Sequence, residues 1–354
     1  MDEKAPVRPL AERKNHEYLD VLRCISAYLV VLSHCLSFVE EDPTLVGTRL
    51  WWLCDVMNIL AHMGLSVFFM ISGFLLLSDS RTLNVGAFYR RRLGKLLPPF
   101  LIWNVIYYLQ HCYIDGQPPD IDRFFFEFAG QGSEVHLWYV YQIVGLYLLM
   151  PFLKRIVDHC STKELLVLLA VVLFQPTILR CVNIMQSYVW IAPFQALVEG
   201  YVGFLLLGYL LGTREPSPKA RAWIYGLGLF AVVVGTWGNY HFSADGQVAL
   251  PFNEGYFITQ YMTGAAFFLL AKQTVHKLPK LLRRLTGELY KLSYGIYLSH
   301  MFILEWCWYA ASKGWCSELP LAQQILIRFL VAAAGSTALN WVFLQVPGLK
   351  KYLL

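Results

Sequence analysis

The sequence consists largely of continuous apolar stretches, each about as long as a helix that crosses a lipid bilayer. A spanning helix needs about 20 predominantly apolar residues, because lipid offers no partners for backbone N–H and C=O groups. Ten stretches meet this requirement, at residues 18–39, 50–78, 96–113, 135–153, 164–181, 194–213, 222–241, 253–271, 293–312 and 321–345. They predict an all-α polytopic membrane protein with about ten transmembrane helices. The stretch at 50–78 is longer than a bilayer requires, so we expect a tilt or a break within it.

The composition excludes several classes of protein. Of the 354 residues, 57% are hydrophobic and 15% are charged, whereas a soluble domain has about 45–50% apolar and about 25% charged residues. A nucleic-acid-binding protein and a disordered chain are excluded on this ground. The 8 cysteines show no Cys-x-x-Cys or Cys/His spacing. We therefore predict no metal site and interpret the cysteines as small apolar residues.

The distribution of lysine and arginine predicts the orientation of the chain in the membrane. If each of the ten stretches spans the membrane, the loops on one side of the membrane contain only a few of the 29 basic residues. These are Arg49, Arg123, Arg180 and Lys313. Arg23 and Arg328 lie inside stretches, and the remaining basic residues fall on the opposite side. Because Lys and Arg are enriched on the cytoplasmic side, both termini are predicted to be cytoplasmic. Residues 1–16 would form a cytoplasmic tail and residues 17–354 one membrane-embedded domain.

Three ionisable residues lie in the first apolar stretch: Asp20, Arg23 and His34. Helix geometry of about 100° and 1.5 Å per residue puts all three on one face, with His34 about 16 Å beyond Arg23. Asp20 and Arg23 are one turn apart and could pair, although the pair is explained equally well as an anchor at the helix end. A histidine inside a membrane helix is costly, and it can take a proton from a hydroxyl. We therefore predict that His34 is catalytic and that Arg23 and Asp20 support it.

A basic run precedes the third apolar stretch and contains Arg90, Arg91, Arg92 and Lys95. Guanidinium groups bind phosphates through paired hydrogen bonds, so the run is a candidate phosphate site. The alternative is a topology signal that also contacts anionic lipids. Only its combination with the polar face of the first helix favours the binding site.

Further polar residues lie within the apolar stretches or at their edges. Asp55, Asn58, His62 and Ser66 share one helix face, which could line a water-accessible cavity. Other candidates for a secondary site are Ser72, His136, His300 and Arg328, with Arg328 at a depth similar to that of His34. For each of them, a hydrogen bond or ion pair between helices is the alternative to a direct chemical role.

Several of these segments, in this order, resemble acyltransferase family 3, the integral membrane O-acyltransferases of bacterial surface glycans. The pattern is closest to the enterobacterial common antigen O-acetyltransferase group. Val21 and Cys24 stand where the family often has glycine, and Lys95 stands where arginine is common. The segments that carry the resemblance are Tyr18 to Arg23 with His34 ten residues beyond, Phe68 to Phe74, the basic run, His136 to Tyr139, and Ser293 to Tyr297 with His300.

The resemblance implies an enzyme of the bacterial cytoplasmic membrane. It implies that an acyl group, usually acetyl, passes from cytoplasmic acyl-CoA to a hydroxyl of a lipid-linked or surface polysaccharide. His34 corresponds to the family's essential histidine, Arg23 to its motif partner, and the basic run to the motif that handles acyl-CoA. The expected partners are acyl-CoA as co-substrate, a glycan acceptor and membrane lipids, with no bound cofactor.

Two other functions remain as alternatives at this point. A transporter or exporter of a glycan or small solute would explain the polar helix faces, but it gives no reason for a basic phosphate site or for the alignment of Arg23 with His34. The sequence also shows no internal repeat of the kind found in many secondary transporters. A purely structural scaffold explains none of the charges inside the apolar stretches.

Overall fold

The computed structural model describes residues 16–130, 132–185, 200–243, 248–253, 255 and 257–353. All regular structure in these residues is helical, which confirms the predicted all-α class. The helices are α1 (Glu17–Glu40), α2 (Arg49–Leu77), α3 (Val85–Ile114), α4 (Ile121–Gly130), α5 (Trp138–His159), α6 (Thr162–Met185), α7 (Tyr201–Thr213), α8 (Pro218–Phe242), α9 (Ile258–Thr274), α10 (Lys280–Leu289), α11 (Ser293–Ser312), α12 (Leu321–Gln345) and α13 (Pro347–Leu353). Short 3-10 turns join several of them.

Among the described residues, 5 helical segments are long and apolar enough to cross a membrane. They are α1, α2, α8, α12 and the segment Val135–His159, which is α5 with the turn before it. The chain is therefore a membrane protein, whereas ten spans and two cytoplasmic termini stay predictions. The predicted tail, apart from His16, and the first part of the stretch at 194–213 lie outside the described residues.

The predicted start of the third helix was wrong. The helix predicted to start near residue 96 begins at Val85, where the Asn84 side chain accepts a hydrogen bond from the backbone N–H of Ala87 at 3.2 Å. It continues through Pro98 and Pro99, so the basic run lies on a helix. The connections at 114–134 and 272–292 contain α4 and α10, whose exposed leucine, isoleucine and phenylalanine side chains are typical of helices that lie at a membrane surface. The stretch at 50–78 forms one unbroken helix, α2, so it contains no break, and its tilt stays a prediction.

Helices α1 and α2 form the centre of the bundle. In the most apolar part of α2, 67% of the residues are buried, compared with 22% in α8. Large side chains on α8, including Trp223 and Leu229, are exposed, as expected for a helix that faces lipid. α1 packs extensively on α2, and α7, α9, α11 and α12 surround the pair. The polar residues of α1 therefore point into a protein interior.

Glycines allow α2 and α7 to approach each other closely. A Cβ atom on Gly208 of α7 would overlap the carbonyl group of Met70, and one on Gly73 of α2 would overlap the backbone of Leu205. Helices in membranes associate through such small residues, because apolar side chains gain little by leaving lipid for protein.

We expect Gly208→Val to destabilise the bundle. The added methyl groups would meet the backbone of α2, and overpacking of this kind costs about 1–3 kcal/mol. The matched control is Gly226→Val in α8, where a Cβ would meet no atom within 4 Å. The melting temperatures of both variants in detergent check the prediction, and equal values for the two would contradict it.

Candidate active site

Three histidines from different parts of the sequence meet inside the bundle. His34 comes from α1, His300 from α11, and His136 from the 3-10 turn that leads into α5. The ring centroid of His34 lies 5.3 Å from that of His300 and 6.2 Å from that of His136, and the rings of His136 and His300 are 4.9 Å apart. We call these three residues the histidine cluster. Two predicted secondary-site residues are thus neighbours of the predicted catalytic residue.

Ring nitrogens of His136 and His300 remain without hydrogen-bond partners in the cluster. The His300 ring donates from Nδ1 to the carbonyl oxygens of Ile296 and Tyr297, at 3.2 and 2.7 Å. Its Nε2 is then the proton-accepting nitrogen, and it is buried without a hydrogen-bond partner. Both ring nitrogens of His136 are also buried, and neither makes a hydrogen bond of regular geometry. Buried polar atoms are nearly always hydrogen-bonded, so these nitrogens are candidates for contacts with a substrate.

Three cavities lie in a row along α1. The first, the basic-end cavity, has a volume of about 200 Å³ and is lined by residues that include Arg23 and Ser72. The second, the histidine cavity of about 240 Å³, contains His34, His62 and His136. The third, the acidic cavity of about 450 Å³, is lined by Glu40, Glu41, Glu134 and Glu305 among others.

Shared side chains connect the three cavities. Tyr139 and Tyr297 line both the basic-end cavity and the histidine cavity. His34 and His62 line both the histidine cavity and the acidic cavity. The row therefore runs from Arg23 past His34 to Glu40 at the other end of α1, a distance of about 26 Å along the helix. His34 occupies the middle of the row and is not turned towards lipid.

The basic end of the bundle carries the predicted phosphate site. Arg90, Arg91 and Lys95 are exposed, whereas Arg92 is half-buried and its Nε has no hydrogen-bond partner. Arg92 lies within electrostatic reach of Arg23 and of Tyr147, which lines the basic-end cavity. The guanidinium carbon of Arg23 is 6.0 Å from the ring centroid of Tyr290. Guanidinium groups bind anions through charge-assisted hydrogen bonds, so Arg92 is the candidate residue for holding a phosphate at this end.

Asp20 is half-buried near the start of α1. Its predicted pairing with Arg23 and its supporting role stay predictions. Ser72, another predicted residue, lines the same cavity as Arg23 and is therefore part of the row.

A buried polar network forms one wall of the acidic cavity. Glu40 accepts hydrogen bonds from Asn58 and, at 3.4 Å, from Asn253. Asn239 donates to Asp55 at 2.8 Å and to Asn253 at 2.9 Å. Of the predicted polar face of α2, Asn58 and His62 line the acidic cavity, whereas Asp55 is buried within the network. The sequence analysis did not select Glu40, although a glutamate at the end of an apolar stretch is a detectable signal.

One mixed cluster could hold a metal ion. The ligand atoms of His111, Glu134 and Glu305 all lie within 4.8 Å of one another, and His111 Nε2 is 3.0 Å from a carboxylate oxygen of Glu134. One imidazole and two carboxylates form a suitable donor set for a divalent cation. The sequence analysis missed this cluster, because its members come from α3, the segment before α5, and α11.

Arg328 lies apart from the histidine cluster. Its Nη2 donates to Gln324 at 2.9 Å, and its guanidinium carbon is 4.6 Å from the ring centroid of Phe38. It is not among the described residues that line the three cavities. Arg328 was predicted to lie at a depth similar to that of His34, but it does not line the cavities that His34 lines.

Comparison with known proteins adds an independent line of evidence. Residues 16–345 match a protein family described as an acyltransferase domain. The chain is also similar to Nodulation protein 10 of Rhizobium leguminosarum bv. viciae, with 23% identity over 384 aligned positions that cover 94% of this chain and 92% of that protein. No solved structure matches the chain.

Proposed function

We propose that this chain, which belongs to the acyltransferase 3 family, is an O-acyltransferase that uses acetyl-CoA or a related acyl-CoA. Its acceptor is a hydroxyl group of a lipid-linked or surface polysaccharide. The enzyme lies in the cytoplasmic membrane of a bacterium, with both termini in the cytoplasm. Family membership supports the transferase activity, and the donor, the acceptor and the location are the proposal.

The observation that carries this proposal is the position of His34 within the row of cavities. Arg23 and the half-buried Arg92 lie at one end, and the acidic cavity lies at the other. An acyl-CoA molecule bound by its phosphates at the basic end would extend its thioester along α1 towards His34. An acceptor that enters from the other end would meet it there.

The chemistry follows from the proton-accepting nitrogens of the cluster. A His34 ring nitrogen takes the proton of the acceptor hydroxyl while that oxygen attacks the thioester carbonyl carbon. The carbon–sulfur bond then breaks, an ester remains on the acceptor, and the CoA sulfur leaves with the proton from His34. In an alternative order, a His34 ring nitrogen attacks the thioester carbonyl carbon, the carbon–sulfur bond breaks, CoA leaves as its thiolate, and the acyl group is carried on His34 until the acceptor oxygen displaces that nitrogen. His300 would then be the base that takes the proton of the hydroxyl.

Purified protein in lipid vesicles tests the proposal directly. Acetyl-CoA labelled in the acetyl group is supplied together with an oligosaccharide acceptor, and transfer of label to the oligosaccharide is measured. We expect ester-linked label that depends on the protein and is released by mild alkali. Movement of the oligosaccharide across the vesicle membrane without acylation would contradict the proposal and favour the transporter.

A further inference from the structure

Carboxyl groups from three separate parts of the chain line the acidic cavity, and the proposed reaction assigns them no role. Glu40 and Glu41 end α1, Glu134 precedes α5, and Glu305 lies on α11. All four line one space of about 450 Å³, within the range of small-molecule sites. Because His34 lines this cavity as well, a molecule bound there lies next to the histidine cluster.

No lysine or arginine is found among the described residues that line this cavity. The imidazoles of His34 and His62 are its basic groups, and His111 pairs with Glu134 at the edge. An anionic group brought into such a space would lie beside the carboxyl groups of Glu41 and Glu134 and would have a cationic partner only at the His111 edge, which opposes binding. Hydroxyl and ammonium groups, in contrast, are donors that carboxylates accept.

The remaining lining suits the ring of a sugar. Trp308 and Met301 from α11 supply apolar surface, and Ser33 and Ser37 from α1 supply hydroxyl groups. The indole Nε1 of Trp308 is buried and has no hydrogen-bond partner. Side chains with an apolar body and one free donor, placed among acceptors, fit a ligand that is apolar on its ring faces and polar at its edge.

We propose that the acidic cavity is the acceptor subsite and that it selects neutral or amine-bearing glycans against anionic ones. This inference rests on the proposed function for the identity of the ligand as the acceptor. Its physical content is a binding preference, which can be measured without acyl transfer.

The test uses three fluorescently labelled oligosaccharides of equal length: an oligoglucoside, an oligoglucosamine and an oligoglucuronide. Their equilibrium binding to the full-length protein in lipid nanodiscs is measured without acyl-CoA, and their kcat/KM values are then measured with acetyl-CoA. We expect the oligoglucuronide to bind at least about tenfold more weakly than the other two. We expect the same order in kcat/KM.

Charge variants connect the preference to the cavity. Glu41 is exposed and Glu305 is half-buried, so neither Glu41→Gln nor Glu305→Gln should disturb folding. We expect each to reduce the preference against the oligoglucuronide several-fold, with no change in KM for acetyl-CoA. The matched control is Glu318→Gln, which removes an exposed carboxylate from the segment between α11 and α12, outside this lining. It should leave the preference unchanged.

Two results would overturn the inference while leaving the proposed function intact. One is equal binding and acylation of the oligoglucuronide in the presence of a chelator, which keeps the cluster at His111 free of a divalent cation. The other is an equal effect of Glu318→Gln and Glu41→Gln. Failure of the proposed function has a different signature, since the binding preference would then be present with no acylation of any of the three glycans.

Discussion

Replacing His34 with alanine is expected to lower acyl transfer by about 10²–10⁴-fold, the range that positioned acid–base groups supply. His34 is the residue of the histidine cluster that lines both the histidine cavity and the acidic cavity. Without its imidazole, the acceptor hydroxyl has no base at the point where the two substrates meet. The initial rate of acetyl transfer to the oligosaccharide in vesicles measures the loss.

The control for this experiment is His159→Ala, which removes an exposed histidine at the end of α5. Its activity should match that of the unaltered protein. Size-exclusion profiles and melting temperatures should be the same for both variants, which separates lost chemistry from lost folding. Retention of more than a tenth of the activity in His34→Ala would remove His34 from the catalytic role.

Loss of the guanidinium of Arg92 is expected to raise KM for acetyl-CoA by about tenfold or more. A hydrogen bond to a charged group contributes about 1.5–3 kcal/mol, and about 1.4 kcal/mol corresponds to a factor of ten. Of the basic run, Arg92 is the half-buried member, and it lies within reach of Arg23. Kinetic measurements on Arg92→Gln at saturating acceptor check the prediction, with kcat expected to change much less than KM.

Two companion variants make this measurement specific. Arg92→Lys keeps the charge but not the paired donors, so it should recover part of the affinity. Arg81→Gln removes an exposed guanidinium that pairs with Asp79 at 2.8 Å on the connection before α3, and it should leave KM unchanged. An unchanged KM in Arg92→Gln would reduce the basic run to a topology signal.

Much of the architecture could be predicted because it depends on local properties of the chain. The apolar stretches gave the all-helical class, and the 3.6-residue period put Arg23 and His34 on one face of α1. Both residues line cavities of a single row. The start of α3 was missed because the exposed arginines of its first turns interrupt the apolar pattern without interrupting the helix.

The histidine cluster could not be predicted from spacing. His34, His136 and His300 are more than 100 residues apart from one another, so only the packing of α1 against α11 and the turn before α5 brings them together. The same reason applies to the metal-binding candidate at His111. Depth along a helix was an insufficient guide for Arg328, because a residue's depth does not determine the direction of its side chain.

The two tyrosines between the first and second cavities have a consequence for the membrane itself. Tyr139 and Tyr297 are both buried, and their ring centroids are 5.3 Å apart. If polar cavities that open to opposite sides of a bilayer joined into a continuous column of water, protons would cross along it and the proton gradient would be dissipated. A pair of bulky phenol rings at the junction would oppose such a column when no donor is bound, and the arm of an acyl-CoA would have to displace them to reach His34.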